Sequence, residues 1–385
     1  MLVVVVGGGM AGLTVAALLS RTGSHEVTVL EHAPSFGTAG YGIGLYPLGA
    51  CVFHALGAYG ELARRSTVLS RYAVHGPAGE LLQEVDLGGL LEDYGPMLGV
   101  SRTDLVDVLA TCVPDGVIRF GVHAESVSRT DGGGVVVRSS EGGEFEADVV
   151  VAADGMHSAM RASVFGDVAP RETGFDAWMW WAPQGSTPAG TASEYWGPSA
   201  FVGLYPMQAG VNVAVGVPRS QSPDPRAGGE AVIEALRAEV TRRAPAAAAL
   251  PGLWEIVDGR PFLWPMLDFR APDITGLDDR VALVGDSGVG FLPTAGVGAS
   301  NALRSAAALA YDLSLADAAS AQLAVRRWRT RVRALVQANQ EASRNLAKVM
   351  MVEHRSSSAV INAVMKHLPV TSMTKSIVAS MEAPF

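Results

Sequence analysis

The chain has 385 residues, a formal net charge of −9 and 49 % hydrophobic residues, which allows two or three domains and excludes nucleic acid as a partner, because phosphate binding needs a basic surface. Its two cysteines, Cys51 and Cys112, fit no metal spacing or disulfide framework and read as buried, reduced thiols of a cytoplasmic protein. No stretch nears the roughly 20 apolar residues that span a bilayer, and the first apolar run lacks the basic flank of a signal peptide.

Leu2 to Val6 is an unbroken apolar run and predicts a buried strand. Gly7, Gly9 and Gly12 follow, and residues 13–19 have the composition of a packed helix. Strand, glycine turn and helix in this order open a dinucleotide-binding βαβ unit. Gly7 makes the tight turn, Gly9 lets backbone N–H groups reach a pyrophosphate, and Gly12 lets the helix lie close on the strand. The helix N-terminus adds unpaired donors and about half a positive charge. Residues 25–30 alternate as a second strand and end in Glu31, nineteen residues past Gly12, where an acid accepts hydrogen bonds from an adenosine ribose.

Residues 34–49 are rich in glycine and proline. Within them, 40–45 predict a loop or short strand whose backbone passes close to something flat. Residues 49–63 read as helical and 71–86 as two strands, while Ser101 or Thr103 caps a helix carrying Leu105 and Leu109. Strand patterns recur at 117–127, 134–139 and 144–152; the last is buried on both faces, like a central parallel strand, and leads to Asp154 and Gly155. From about 171 strands replace helices. Residues 177–182, 193–196, 201–207 and 211–217 predict an antiparallel sheet, with a hairpin at Gln208 to Gly210. An amphipathic helix at 229–243 and a strand at 262–269 follow.

At 280 the first pattern resumes. Residues 280–284 predict a buried strand ending in Gly285 and Asp286, then a loop with Pro293, Gly296 and Gly298, an alanine-rich helix at 299–313, a long helix at 320–350 and shorter ones at 356–380. The reading is therefore a discontinuous first domain (1–70, 100–170 and 275–345), an inserted second domain (71–99 and 171–274) and C-terminal helices (346–385). Glu31, Asp154 and Asp286 each follow a buried strand, and open α/β sheets bind ligands at the carboxyl ends of their strands. Three acid tips with three glycine loops describe one long site, suited to a dinucleotide.

On these residues the chain resembles the single-component flavin-dependent monooxygenases of the para-hydroxybenzoate hydroxylase type. Gly7-x-Gly9-x-x-Gly12 with Glu31 matches one motif. The run from Asp154 through Gly155 and Ser158 to Arg161 matches D-G-x-x-S-x-x-R, and Gly285-Asp286 with Pro293, Gly296 and Gly298 matches a third. Arg102 resembles the arginine that the family places on the cofactor phosphates. The resemblance runs from residue 1 to about 310. It implies an α/β fold: a Rossmann-like FAD-binding domain, an inserted antiparallel-sheet substrate domain and a C-terminal helical region.

It also implies FAD as cofactor. Glu31 would bind the adenosine ribose, and Gly9 and Gly12 would approach the pyrophosphate beside Arg102. Asp286 would lie near the ribityl chain or the pyrophosphate. Asp154 would hold the cofactor and meet the nicotinamide, while Arg161 is left between a cofactor role and a structural pairing with Asp154. The helix after Gly298 would aim its N–H groups at the reduced flavin anion. Two departures bar borrowing substrate details from the family: Ser287 to Gly290 stand where many members have Ala-x-His, and Arg304-Ser305 where an acid is common.

The implied enzyme is an NADH- or NADPH-dependent monooxygenase. Through a flavin C4a-hydroperoxide it transfers one atom of dioxygen to an organic substrate by hydroxylation or epoxidation, with Baeyer–Villiger insertion left open. A redox-neutral FAD-dependent cyclase or an isoprenoid-type reductase on the same fold is the alternative. Residues 172–218 hold no arginine or lysine but contain Trp178, Trp180, Trp181, Tyr195, Trp196, Phe201 and Tyr205, which predicts a large, flat, mostly uncharged substrate of secondary metabolism. Trp180 and Tyr205 are the candidate pocket residues, and Tyr205 is the candidate catalytic residue. The run from Trp178 to Pro183 is similar to the tryptophan motif of flavin halogenases, but those need a lysine in the first domain and none precedes Lys348. Residues 326–333 are basic and read as a solvated helix face. Val352, Val360, Ile361, Val364, Met365, Leu368 and Ile377 have near-helical spacing and would cover the first domain or a partner subunit, which leaves monomer and homodimer open. No metal is expected.

Overall fold

Leu2–Val6 forms a strand in the interior of a six-stranded sheet. This computed structural model describes residues 1–37, 40–352 and 354–367; the expected helical residues from Leu368 onward, Ile377 among them, lie outside these. The sheet order is Thr275–Gly276, Val281–Leu283, Val149–Ala152, Leu2–Val6, Glu26–Glu31 and Ile118–Phe120, and every pair but the first is parallel. Valine suits the interior strands because both of their faces are buried. Val3, Val5, Val149 and Val151 pack into one core with Leu13 and Leu19 of helix Met10–Thr22 and Leu303 of helix Gly298–Ser314. Val4, Val6 and Val150 pack the other way, against Val127, Val135 and Val137 of a three-stranded sheet.

A second sheet has eight strands, in the order Val289–Gly290, Asp258–Arg270, Arg171–Ala182, Gly210–Pro218, Ala200–Met207, Thr191–Gly197, Arg71–His75 and Leu81–Asp86. The hairpin at Gln208 forms as expected, with Met207 opposite Gly210. The sheet is not wholly antiparallel: Thr191–Gly197 runs parallel to Arg71–His75, a strand that arrives from far away in the chain. Asp258–Arg270 is also longer than the expected 262–269. Strict alternation sorts the side chains. Trp178, Trp180, Leu204 and Val213 face helix Gly229–Arg243. Phe175, Ala177, Trp196, Phe201 and Met266 face the opposite way, where Ala347 and Met350 of helix Ala321–Met350 meet them. Met365 and Ile361 of helix Arg355–Met365 join this second cluster, so the C-terminal apolar residues settle on the eight-stranded sheet.

At Gly42 the missing side chain leaves room for Met207 and Asn212. Strand Met97–Ser101 pairs with Gly42–Leu45 and Thr67–Leu69. One local expectation is corrected. Cys51 is exposed and Cys112 only half-buried, because Val52 and Phe53 take the inner side of helix Pro47–Ala55.

The basic run of the long helix is a solvated face, as expected, and it is laced with ion pairs. Arg326 and Arg329 reach Asp279, Arg329 and Arg333 reach Asp273, and Arg331 pairs with the buried Asp312. Farther along, the fully buried Asp268 accepts from Arg171 and Arg344, and the Gln340 amide donates to the carbonyls of Phe269 and Gly290. One helix thereby fastens both sheets. Burial alone would lift the Asp268 carboxyl, but the two guanidiniums outweigh it and hold it below the usual range. A depressed folded pKa stabilises the fold above the unfolded value and loses that contribution as pH falls through the folded one. Asp268→Asn should therefore lower stability at pH 7 by about 1–3 kcal/mol, less than for a fully buried pair because Arg171 is mostly exposed. In urea unfolding the difference from wild type should shrink as pH falls below about 4.

Candidate functional site

Adjacent parallel strands put their carboxyl ends along one edge. Leu2–Val6 runs into the glycine loop. Beside it, Glu26–Glu31 ends in Glu31; on the other side Val149–Ala152 leads to Asp154, and next to that Val281–Leu283 leads to Asp286. Residues from four distant segments thus share one side of the sheet.

The glycine loop is tightly built. Gly7 has φ +103°, and a Cβ there would lie 2.4 Å from the Ala153 carbonyl oxygen; a Cβ at Gly12 would lie 2.0 Å from the Gly7 oxygen. Gly9 differs, since a Cβ there would meet nothing within 4 Å. Its bare backbone lines a cradle in front of helix Met10–Thr22, whose first turn has no side-chain cap. Glu31 is buried at the rim. Its Oε2 accepts the Gly8 N–H at 2.7 Å and its Oε1 the Ala33 N–H at 2.8 Å. Two backbone donors fix the carboxylate and leave lone pairs for hydroxyl donors.

Asp154 is used within the chain. Oδ1 accepts from the Ser158 hydroxyl at 2.6 Å and Oδ2 from the Met160 N–H at 3.0 Å, which caps the start of helix Ala159–Phe165. Burial raises its pKa and these donors offset part of the rise. Arg161 makes no salt bridge to Asp154. It donates to the carbonyls of Ser287 at 3.0 Å and Met156 at 2.7 Å, and its guanidinium lies 3.8 Å from the centre of the Phe269 ring. Arg161 therefore ties the Asp154 loop to the Asp286 loop.

Asp286 has no such partners. No donor of the described residues forms a hydrogen bond with it; one side stays partly accessible, and burial pushes its pKa up to about 6. A carboxylate placed this way fits a ligand bearing hydroxyl donors. After it, Pro293–Ala295 makes a tight turn, Gly296 takes φ +61°, and helix Gly298–Ser314 begins without a side-chain cap. Arg102 lies against the Tyr41 hydroxyl, whose pKa burial pushes to about 12 and whose surroundings include Asp286. The Tyr41 ring meets Trp264 edge-on at 5.0 Å. Tyr41 was not expected; nothing in its glycine-rich stretch marks one aromatic as functional.

The two pocket candidates separate. Trp180 lies on the far face of the eight-stranded sheet: it is 2 % exposed, stacks on Trp254 at 5.7 Å and donates its indole N–H to the Leu253 carbonyl. It is a core residue and does not line the chamber. The alternation that buries Trp180 turns Trp181 to the near face, where its indole N–H donates to the Gly40 carbonyl at 3.0 Å. Tyr205 is also on the near face, with its hydroxyl donating to Glu194 Oε1 at 2.7 Å. Glu194 is 4 % exposed and accepts from the Trp196 indole at 2.8 Å and from the Tyr72 hydroxyl. Tyr46 connects this cluster to the third loop. Its hydroxyl donates to the Ala295 carbonyl at 3.3 Å, and the field of Glu194 reaches it. Glu194, Tyr72 and Tyr46 escaped the sequence reading because three separate segments supply them. A cleft of about 340 Å³ by His75, Tyr195 and Leu204 opens behind the sheet, on the Trp180 side and away from the acid-tipped strands.

The donor-free Asp286 and the open cradle at Gly9 both fit a bound FAD. A family described as FAD binding domain matches residues 1–339. The chain is 28 % identical over 324 residues to an aurachin C monooxygenase/isomerase of Stigmatella aurantiaca, covering 84 % of this chain and 83 % of the relative. It is 33 % identical over 318 residues to a 3-amino-4-hydroxybenzoate 2-monooxygenase of Streptomyces cremeus, covering 78 % and 75 %. Its fold matches that of Klebsiella pneumoniae HpxO complexed with FAD and uric acid, with a TM-score of 0.85, 22 % identity and coverage of 100 % and 97 %. With its glycine loop, acid-tipped strands and near-complete family match, the chain belongs to the single-component FAD-dependent monooxygenases of the para-hydroxybenzoate hydroxylase type.

Proposed function

We propose that this FAD-dependent monooxygenase inserts one oxygen atom, by hydroxylation or epoxidation, into a bulky, largely uncharged aromatic or polycyclic substrate. NADH or NADPH supplies the electrons. The observation that carries the reading is the charge of the near face. Residues 172–218 contribute no arginine or lysine, and the charged group they bury there is the carboxylate of Glu194. A small carboxylate substrate would meet a like charge in a site of low dielectric. The substrate named for the Streptomyces relative is itself a carboxylate, so we infer a different substrate for this chain.

The residues divide the work of holding the cofactor. Residues 1–70, 100–170 and 275–345 would bind FAD, and 71–99 and 171–274 would carry the substrate. Glu31 would take the adenosine ribose, Arg102 a phosphate, and Asp286 the ribityl hydroxyls. Gly7 and Gly12 keep the loop tight while Gly9 lets the pyrophosphate approach the helix N-terminus. The loop through Pro293, Gly296 and Gly298 brings N–H groups toward the flavin ring. Asp154 acts by holding its own loop. FAD, when bound, supplies electron transfer and dioxygen activation; the protein orients the ring, keeps water out and places the substrate between Tyr205, Trp181 and the third loop.

Purified yellow protein should oxidise NADPH faster when substrate is added and should place one atom of labelled dioxygen in the product. A bulky neutral aromatic should be turned over with a higher kcat/KM than a small benzoate; a benzoate that does as well refutes the size and charge reading. Asp286→Asn should weaken FAD binding about tenfold or more, as expected for losing bonds to a charged acceptor. The apoprotein should respond with the opposite sign. The folded pKa is raised, so the ionised form is penalised in the folded state, and the penalty is complete above about pH 6. The variant apoprotein should thus be more stable than wild-type apoprotein by about 1–3 kcal/mol at pH 8 and no more stable near pH 4, as read by urea unfolding.

A further inference from the structure

We propose that the cleft behind the eight-stranded sheet is a binding site for an aromatic α-amino acid, separate from the flavin chamber. The inference goes beyond the monooxygenase reading and does not depend on it. The cleft has a volume of about 340 Å³, within the range of small-ligand pockets, roughly 300–1,000 Å³. Its walls come from strands Arg71–His75 and Thr191–Gly197, from the loop that holds Ser186 and Thr187, and from Leu250. No residue placed at the cofactor lines it.

Strand alternation makes the hollow. On this face Ala73 lies opposite Ser193, and Ser193 opposite Leu204. Farther along the same face Trp178 and Trp180 fill the space under helix Gly229–Arg243, but the small side chains of Ala73 and Ser193 leave a depression. Taller groups stand at its ends. His75 and Tyr195 lie opposite each other with their rings stacked at 4.7 Å, and Arg71 and Glu84 stand at the other end. The hollow is held in shape. Thr187 Oγ1 donates to the Thr191 carbonyl and lies 3.3 Å from Ser193 Oγ, and the N–H groups of Ser70 and Arg71 both donate to the Gly190 carbonyl.

The two ends suit different chemistry. The stacked imidazole and phenol offer a flat wall, and Leu204 and Leu250 add apolar contact, which fits an aromatic ring. His75 Nδ1 is buried and has no hydrogen-bond partner among the described residues, so a ring N–H such as an indole's suits this end. At the other end the charges are only loosely paired. Arg71 Nη1 and Glu84 Oε1 are 3.8 Å apart, beyond hydrogen-bond reach, and neither head hydrogen-bonds to another side chain among the described residues. A ligand carboxylate can take the guanidinium's donors while a ligand ammonium takes the glutamate's oxygens. A carboxylate alone would answer Arg71 but face Glu84, and an amine alone would do the reverse. Glu84 lies opposite Ala73, and His75 is two residues farther along that strand, about 7 Å away. One side chain of an aromatic amino acid spans that gap.

The test follows binding of L-tryptophan, indole-3-propionate and tryptamine to the FAD-loaded chain by isothermal titration calorimetry, with the flavin spectrum recorded alongside. L-tryptophan should bind about fivefold tighter than either analogue or more, because each analogue leaves one of the two heads unanswered. It should leave the flavin absorption unmoved, since the cleft lies on the opposite face of the sheet. Arg71→Ala should weaken L-tryptophan and indole-3-propionate about fivefold and spare tryptamine. Glu84→Gln should weaken L-tryptophan and tryptamine and spare indole-3-propionate. Both heads are exposed, so neither substitution threatens the fold. Failure of L-tryptophan to bind wild type overturns the proposal without any variant. Indole-3-propionate binding as tightly as L-tryptophan overturns it too, because the cleft would then be an anion site. L-tryptophan binding that shifts the flavin spectrum and survives both substitutions also overturns it, by placing the ligand in the flavin chamber.

Discussion

Parallel pairing of Leu2–Val6 with Glu26–Glu31 on one flank and Val149–Ala152 on the other is the constraint behind the whole site. Register in a sheet with two buried faces is strict, since a slip of one residue would exchange Val3 and Val5 for Val4 and Val6 against the helices. That strictness fixes where each strand stops. The glycine loop, Glu31, Asp154 and Asp286 are near one another because four strands end together, not because any of these residues attract one another. Arg161 and Glu31 then stiffen what the strands have gathered, the first by bonding carbonyls of two loops and the second by bonding the N–H of the glycine loop.

The second sheet follows another logic. It has two faces with different work, and single-residue alternation decides which side chain does which. Trp180 and Trp181 are neighbours in sequence with opposite fates. One stacks on Trp254 in a dry core; the other reaches the Gly40 carbonyl on the opposite face. The buried Glu194 lies on the same face as Trp181, held by hydroxyls and an indole rather than by a guanidinium. That is an uncommon way to keep a carboxylate inside a protein, and it leaves the surrounding phenols polarised.

Much of the first sheet was legible because its signals are local: a valine run, a glycine turn and an acid at a fixed offset need no partner to be read. The same holds for the hairpin at Gln208 and the helix at residues 229–243. Legibility failed where meaning depends on what lies opposite. Trp180 carried an aromatic signal but no record of which face it occupies. The arginines between Arg326 and Arg333 gave no sign of their ion-pair partners, because Asp273, Asp279 and Asp312 lie outside the run. Glu194, Tyr72 and Tyr46 come from three segments, and only tertiary contact makes them a group. Cys51 shows the converse: a residue type usually found inside, set outside by the pitch of a short helix.

The long helix has a mechanical consequence. At 30 residues it extends about 45 Å. Its first half is ionically pinned beside the edge of one sheet and its second half is pinned to the other. Parting the two sheets would have to break one set of anchors or the other, Arg344 with Asp268 or Arg329 with Asp279. The strap thus resists a hinge between the sheets from outside both of them.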